Sequence, residues 1–363
     1  MKVRNNMSPF SINREQTNLL KGVGILLIIF HNYFHWVPPY TGENEFIFNP
    51  EFVQNLFNRL KTSPLDIPNT LFSYFGHFGV QLFLFISGYG LAKSFQKKEH
   101  DFIDFMKKRA AKLYPAFIIG IIVLIAYVTL VYGFPDLKWF AKIGLKLAMV
   151  HTLIPGQALA INGPWWFYGL IMQLYVLFIP LFFIIRKWRW QGFAVVAIAS
   201  YLLIFSLYQP LLSSDLFVMA NAPGHIPEFT LGILLAFNTK VSKWAIPLCV
   251  VIFIIGNFYF SSFPLTFITI TYLLVVLILK LFRRENILFK VIVFYGKLSM
   301  FLFAIHGFFR RPYFVETAIE AKNPLITALL AFIYLLVVTI VAYVSKVLYE
   351  RLFQKQKTSK LAP

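Results

Sequence analysis

The sequence predicts an all-α, polytopic integral membrane protein with about ten transmembrane helices and both termini in the cytoplasm. Three observations carry that expectation. Of 363 residues, 58% are hydrophobic and only 13% charged, and the mean hydropathy is +0.69, more apolar than a water-facing surface accommodates. Apolar stretches near the roughly 20 residues needed to cross a hydrocarbon core recur from Leu19 to Val347. Lysine and arginine gather on alternate loops, as they do on the cytoplasmic side of membrane proteins.

Taken in order, the apolar runs fall near 19–37, 70–92, 113–133, 165–185, 192–208, 226–238, 244–260, 264–282, 297–309 and 324–348. Those beginning at 192, 226, 244 and 297 are short or bounded by proline and charge, and the piece 143–154 fits a re-entrant or interfacial segment. The basic groups divide them. Lys2, Arg4 and Arg14, the 93–112 loop with its seven basic residues, Arg186, Lys187 and Arg189, Lys240 and Lys243, Arg283 and Arg284, and the Lys355 to Lys360 tail all fall on one side. The opposite loops are 38–69, with Glu43, Glu45, Glu51 and Asp66, and 209–224, with Asp215; Arg310 and Arg311 are an exception there. No repeat or low-complexity linker interrupts the chain, so residues 1–352 read as one transmembrane domain and 353–363 as a basic cytoplasmic tail.

A formal charge of +19 would suggest nucleic acid binding in a soluble protein, but here its placement between apolar runs assigns it to membrane topology, and no nucleic acid partner is expected. The single cysteine, Cys249, excludes a disulfide framework, and no His and carboxylate cluster shows ligand spacing, so no metal is expected. The first apolar run lacks a small-residue cleavage site and reads as a retained helix.

Several polar residues stand where membrane helices seldom carry them. The first helix bears Lys21 at its cytoplasmic end and His31 and His35 toward the other, with Lys21 and His31 separated by roughly 15 Å of rise. An ionisable group inside a membrane helix is costly, which marks His31 as a functional candidate, whereas His35 reads as an interfacial anchor. The second helix carries Gly76, Gly79, Gly88 and Gly90, which suit close helix packing, and Ser87, which suits a bond to a neighbouring carbonyl or to substrate. Arg109 and Lys112 lead into the third helix on one side of it, either as topological charge or as cations for the phosphates of a nucleotide-like donor. Trp165 and Trp166 suit an interface belt or stacking on sugar rings. His306 suits acceptor binding or helix packing, His77, His151 and His225 suit structural duties, and Glu228, at the start of a short predicted helix, suits capping or catalysis.

These residues, in order, carry a family resemblance. Asn18 to His31, with a basic residue, a small residue, an apolar run and a histidine, resembles the first-helix motif of the membrane acyltransferase 3 family, the bacterial O-acyltransferases of surface glycans. Gly79 to Gly88 is similar to that family's glycine-valine and serine-glycine signature. Arg109 to Pro115 is similar to its paired-basic motif, Trp166 to Tyr175 followed by Pro180 to its tryptophan-to-tyrosine helix, and Tyr295 to His306 to its late glycine, serine and histidine segment. Lys21 stands in place of the commoner arginine, and an ungapped match puts Asn32 in the histidine slot. Ile171 stands where relatives often have a glutamate, leaving Gln173 as the nearby polar group.

The resemblance implies acyl-CoA, with acetyl-CoA foremost, as a co-substrate from the cytoplasm, and a hydroxyl of a glycan or lipid-linked sugar as acceptor. It implies no permanently bound cofactor. On that basis His31 is the catalytic residue, as general base or transient acyl carrier. Lys21, Arg109 and Lys112 hold the donor, and Ser87, Trp166 and His306 bind the acceptor. The resemblance also implies the inner membrane of a bacterial cell and O-acetylation of envelope polysaccharide. A transporter or flippase for a lipid-linked sugar is the alternative that hydropathy alone allows, although related halves are not evident.

Overall fold

The computed structural model describes residues 10–40 and 42–354; Lys2, Arg4 and the basic run from Lys355 to Lys360 lie outside the described residues. Those residues form helices and connecting turns, with no strand among them. The first helix, α1, spans Arg14–Phe34 and opens with a reciprocal cap: the Asn13 side chain accepts from the Gln16 amide at 2.8 Å, and the Gln16 side chain accepts from the Asn13 amide at 2.9 Å. Leu19, Ile25, Ile29 and Tyr33 are fully buried, so apolar residues on several sides of α1 are covered by protein and α1 runs through the core.

After a loop come α2 (Pro50–Thr62) and α3 (Ile67–Phe75), then a single tight turn and α4 (Gly79–Lys97). Next are α5 (Phe102–Tyr132), α6 (Leu137–Leu147), α7 (Trp166–Leu212), α8 (Ala222–Leu235) and α9 (Ala245–Phe258). The chain finishes with α10 (Phe263–Leu281), α11 (Ile287–Phe309), α12 (Tyr313–Ala321) and α13 (Pro324–Tyr349).

Glycines set the spacing around α1 and α4. A Cβ on Gly22 would lie 1.9 Å from the Ile292 carbonyl oxygen, and one on Gly296 only 1.8 Å from that of Asn18, so α1 and α11 touch backbone to backbone. The same reciprocity joins α4 to α8, where Gly88 faces the Phe229 carbonyl at 2.0 Å and Gly232 that of Phe85 at 2.1 Å. The packing expected of Gly76, Gly79 and Gly88 is therefore present, while Gly90 faces open space.

Each of the ten apolar runs falls on helix, but among the described residues seven helical segments are long and apolar enough to cross a membrane. Two physical reasons separate those numbers. The runs at 165–185 and 192–208 are two helices, as expected, that meet at a sharp break within α7 where Arg189 adopts φ 46° and ψ −120°, and the pair falls within a single one of those segments. Helices α8 and α9 have 14 residues each, about 21 Å of rise, short of a hydrocarbon core of about 30 Å. The outer helices turn apolar side chains outward, Phe332, Leu336 and Ile340 of α13 each being more than half exposed, as a lipid-facing stripe requires.

Candidate active site

At the end of α1 away from Lys21, a cavity of about 720 Å³ opens between helix ends. Its wall includes His31, Asn32, Glu43, Glu45, Trp166 and Arg310. The two carboxylates arrive on the loop after α1, which folds back over the helix ends. Phe46 packs edge-on against Trp166 at 5.1 Å, the Phe48 amide donates to the Tyr208 hydroxyl, and the Asn44 side chain accepts from the Asn49 amide.

That loop gives His31 its chemistry. The Nδ1 of His31 lies 2.8 Å from the Ser73 carbonyl, an acceptor only, so Nδ1 carries the hydrogen and Nε2 is left with its lone pair. Nε2 lies 3.9 Å from Glu45 and 4.0 Å from Glu43. The other Glu43 oxygen is 2.7 Å from Nδ1 of His35, whose ring centre is 5.3 Å from that of His31. Burial pushes the Glu45 carboxyl well above the usual carboxylate range, and Glu43 beside it pushes in the same direction. A buried basic nitrogen facing two acidic groups, one of them inclined to hold a proton, is suited to proton transfer.

Arg310 closes the opposite wall. Its Nη1 donates to the Asn32 side chain at 3.0 Å, and its guanidinium lies 5.1 Å from the centre of the Trp36 ring, which Arg311 also covers at 4.4 Å. The Arg310–Arg311 exception in the loop charges thus marks a lined site.

At the other end of α1, four more expected residues come together. Lys21 is an electrostatic neighbour of Lys112, and Lys112 of Arg109. Arg109 in turn neighbours Tyr175, whose hydroxyl bonds Ser87. Among the described residues no carboxylate pairs with Lys21, Arg109 or Lys112, leaving a cationic cluster free for an anion. Ser87 therefore sits beside the cations and is not among the residues that line the cavity.

A family model described as an acyltransferase domain matches residues 15–346, from the first turn of α1 almost to the end of α13. The chain belongs to the acyltransferase 3 family. Its members are acyltransferases, and the protein is an acyltransferase of groups other than aminoacyl groups. No curated protein and no solved structure matches the chain.

In this acyltransferase the remaining motif residues divide between cavity and core. Trp166 lines the cavity and faces the His225 ring at 5.7 Å. His306 is fully buried, with its Nδ1 on the Leu302 carbonyl at 3.0 Å and its own carbonyl accepting from the Tyr334 hydroxyl, an arrangement of helix packing. Glu228 lies in the second turn of α8, because the helix starts at Ala222, so it is no cap; it meets His225 at 3.2 Å in the core. Gln173 bonds Thr152, Asn221 and the Ala222 amide, which ties α7 to the start of α8. The ungapped alternative, Asn32, lines the same cavity as His31.

Sequence spacing hid one cluster. His31, His35 and Glu43 each place a ligand atom within 4.8 Å of the others, because the loop returns Glu43 to a helix face that already carries both histidines. These are the residues able to hold a divalent ion. Sequence reasoning also passed over Glu43, Glu45 and Arg310 as site residues, and took His35 for an anchor.

Proposed function

We propose that the protein is a membrane O-acyltransferase that moves an acyl group, foremost acetyl, from acyl-CoA to a hydroxyl of a carbohydrate or other cell-envelope acceptor. The placement of the His31 Nε2 beside Glu43 and Glu45 carries this reading. Nε2 takes the proton of the acceptor hydroxyl as its oxygen attacks the thioester carbonyl. The tetrahedral intermediate then breaks its carbon–sulfur bond, and the imidazolium returns the proton to the departing thiolate. The Glu43 carboxylate, 4.0 Å from Nε2, favours the transient imidazolium, which supports the general-base role over that of an acyl carrier.

Lys21, Arg109 and Lys112 hold the donor phosphates at the cytoplasmic end, with Ser87 and Tyr175 beside them. The acyl end then lies along α1 toward His31, roughly 15 Å away. Trp166 stacks on the acceptor. His306 supports the helix that carries Arg310. On this reading both termini are cytoplasmic, and residues 1–352 form one domain of ten apolar helical segments in the bacterial inner membrane, with 353–363 as a tail. Membranes carrying the protein should transfer label from radiolabelled acetyl-CoA to envelope glycan, and His31→Ala at equal expression should not. Equal labelling by both would remove His31 from the reaction, and none by either would remove the acetyl-CoA donor.

A further inference from the structure

Arg310 is 8% exposed, and among the described residues no carboxylate forms an ion pair with it. Among the described residues, the only oxygen its guanidinium is bonded to is the neutral amide of Asn32. The nearby acid, Glu316, is taken by Arg311 at 3.1 Å. Burial draws the Arg310 pKa down to about 10, so the group stays charged at neutral pH. A buried, charged guanidinium is costly without an anionic partner, and this one lines a cavity large enough to admit a ligand. The carboxylates of the facing wall are otherwise occupied: Glu43 is bonded to His35 at 2.7 Å, and burial inclines Glu45 to its neutral form.

We infer that the acceptor carries an anionic group, a carboxylate or a phosphate, which the Arg310 guanidinium binds while His31 addresses a neighbouring hydroxyl. This rests on the acyl-transfer reading above and adds the acceptor's charge to it. Asn32 fixes the geometry, because it holds Arg310 and follows His31 directly, and consecutive Cα atoms are only about 3.8 Å apart. The anion and the acylated hydroxyl therefore belong to one sugar unit or to adjacent ones. A planar guanidinium suits both candidate groups, since each offers paired oxygens. Trp36, against which Arg310 and Arg311 both stack, forms the floor beneath the anion.

Trp36 also supplies a readout independent of catalysis. Full-length protein in lipid nanodiscs is titrated with inorganic phosphate, glucuronate and glucose at constant ionic strength, and the fluorescence is compared with that of Trp36→Phe. Phosphate, glucuronate or both should give a saturable change in wild type that is absent in Trp36→Phe, at least tenfold weaker in Arg310→Gln and partly recovered in Arg310→Lys. Glucose should give none. Saturation by phosphate alone assigns a phosphate and by glucuronate alone a carboxylate. Equal binding in wild type and Arg310→Gln, or an equal response to glucose, overturns the inference. Should Arg310→Gln fail to fold, inhibition of wild-type transfer decides: competition against acceptor by phosphate or glucuronate, unmatched by chloride, supports the anion site, and its absence overturns it. Arg310-dependent anion binding without acyl transfer would sink the transferase reading alone, and transfer without that binding would sink this one.

Discussion

His31 and Glu45 face each other across 3.9 Å, both withdrawn from solvent, although one belongs to a membrane helix and the other to the loop that follows it. A hydroxyl oxygen beside the pair, off the line that joins them, can lie within hydrogen-bond distance of both. The first prediction concerns this pair. His31→Ala should lower kcat by at least about 10²-fold, within the usual contribution of a positioned general base. Glu45→Gln keeps the shape and removes the exchangeable carboxyl proton beside Nε2, so kcat should fall less, about tenfold, with the KM for acceptor little changed. Initial-rate kinetics on purified variants checks both, and an unchanged kcat in Glu45→Gln would remove that carboxyl from the reaction.

The same carboxyl should give stability a pH dependence of definite sign. Burial, and then Glu43, raise the folded-state pKa of Glu45 above its value in an unfolded chain. The fold therefore prefers the protonated form, and the stability this contributes is full below the ordinary carboxylate value and is lost as pH rises through the folded-state value. Thermal unfolding in detergent should show Tm falling over that interval in wild type. Glu45→Gln cannot ionise and should flatten that part of the curve; an identical slope in both proteins would show that Glu45 does not titrate there.

The apolar segments were legible in the sequence because length and composition alone decide whether a helix suits a bilayer. So was the break between the runs at 165–185 and 192–208, which Arg186, Lys187 and Arg189 mark. Its sharpness was not, because the φ of 46° at Arg189 depends on a local tertiary setting in which the guanidinium lies 3.9 Å from the centre of the Phe237 ring. His31 was legible as a costly ionisable residue. Glu43 and Glu45 were not, because their approach depends on Phe46 meeting Trp166 and Phe48 meeting Tyr208, contacts between residues far apart in the chain. Arg310 left a trace, as a basic pair on the side where basic residues are scarce. His306 shows the reverse: it stands in a family motif, yet its ring serves the packing of α11.

Helix contact through glycine is directly testable. In Gly296→Ala the new methyl would stand 1.8 Å from the Asn18 carbonyl oxygen, a backbone atom that moves only if α1 and α11 separate. Overpacking of this kind costs about 1–3 kcal/mol or more, so Tm should drop by several degrees and yield should fall. Gly90→Ala, with nothing within 4 Å of its Cβ, should leave both unchanged or slightly improved. Equal behaviour of the two variants in a detergent melting assay would refute the close approach.

The cationic cluster predicts a separation of kinetic parameters. Arg109→Gln and Lys112→Gln should each raise the KM for acyl-CoA about tenfold while leaving kcat nearly unchanged, because in the proposed function they hold a part of the donor that does not react. Lys112→Arg keeps the charge and should retain most of the affinity. A donor lacking the 3′-phosphate should lose its sensitivity to whichever residue binds that group. Loss of kcat without a change in KM would place these cations in the chemical step instead.

The last prediction concerns metal at His31, His35 and Glu43. A resident tetrahedral zinc ion holds nitrogen and oxygen ligands at about 2.0–2.2 Å, which puts them about 3.4 Å from one another. Here the His31 Nε2 and the nearer Glu43 oxygen are 4.0 Å apart, while Glu43 and His35 are joined at 2.7 Å as a hydrogen bond. The pair is satisfied without an ion, so dialysis against EDTA should leave the rate unchanged. Added zinc should inhibit, because a small closing of the three ligands would occupy the lone pair on which base catalysis depends. Glu43→Gln removes the charged ligand and should weaken that inhibition about tenfold or more in a zinc titration of the acyl-transfer rate. If EDTA abolished activity and a divalent ion restored it, the cluster would be a resident metal centre, and His31 would act as a ligand in place of a base.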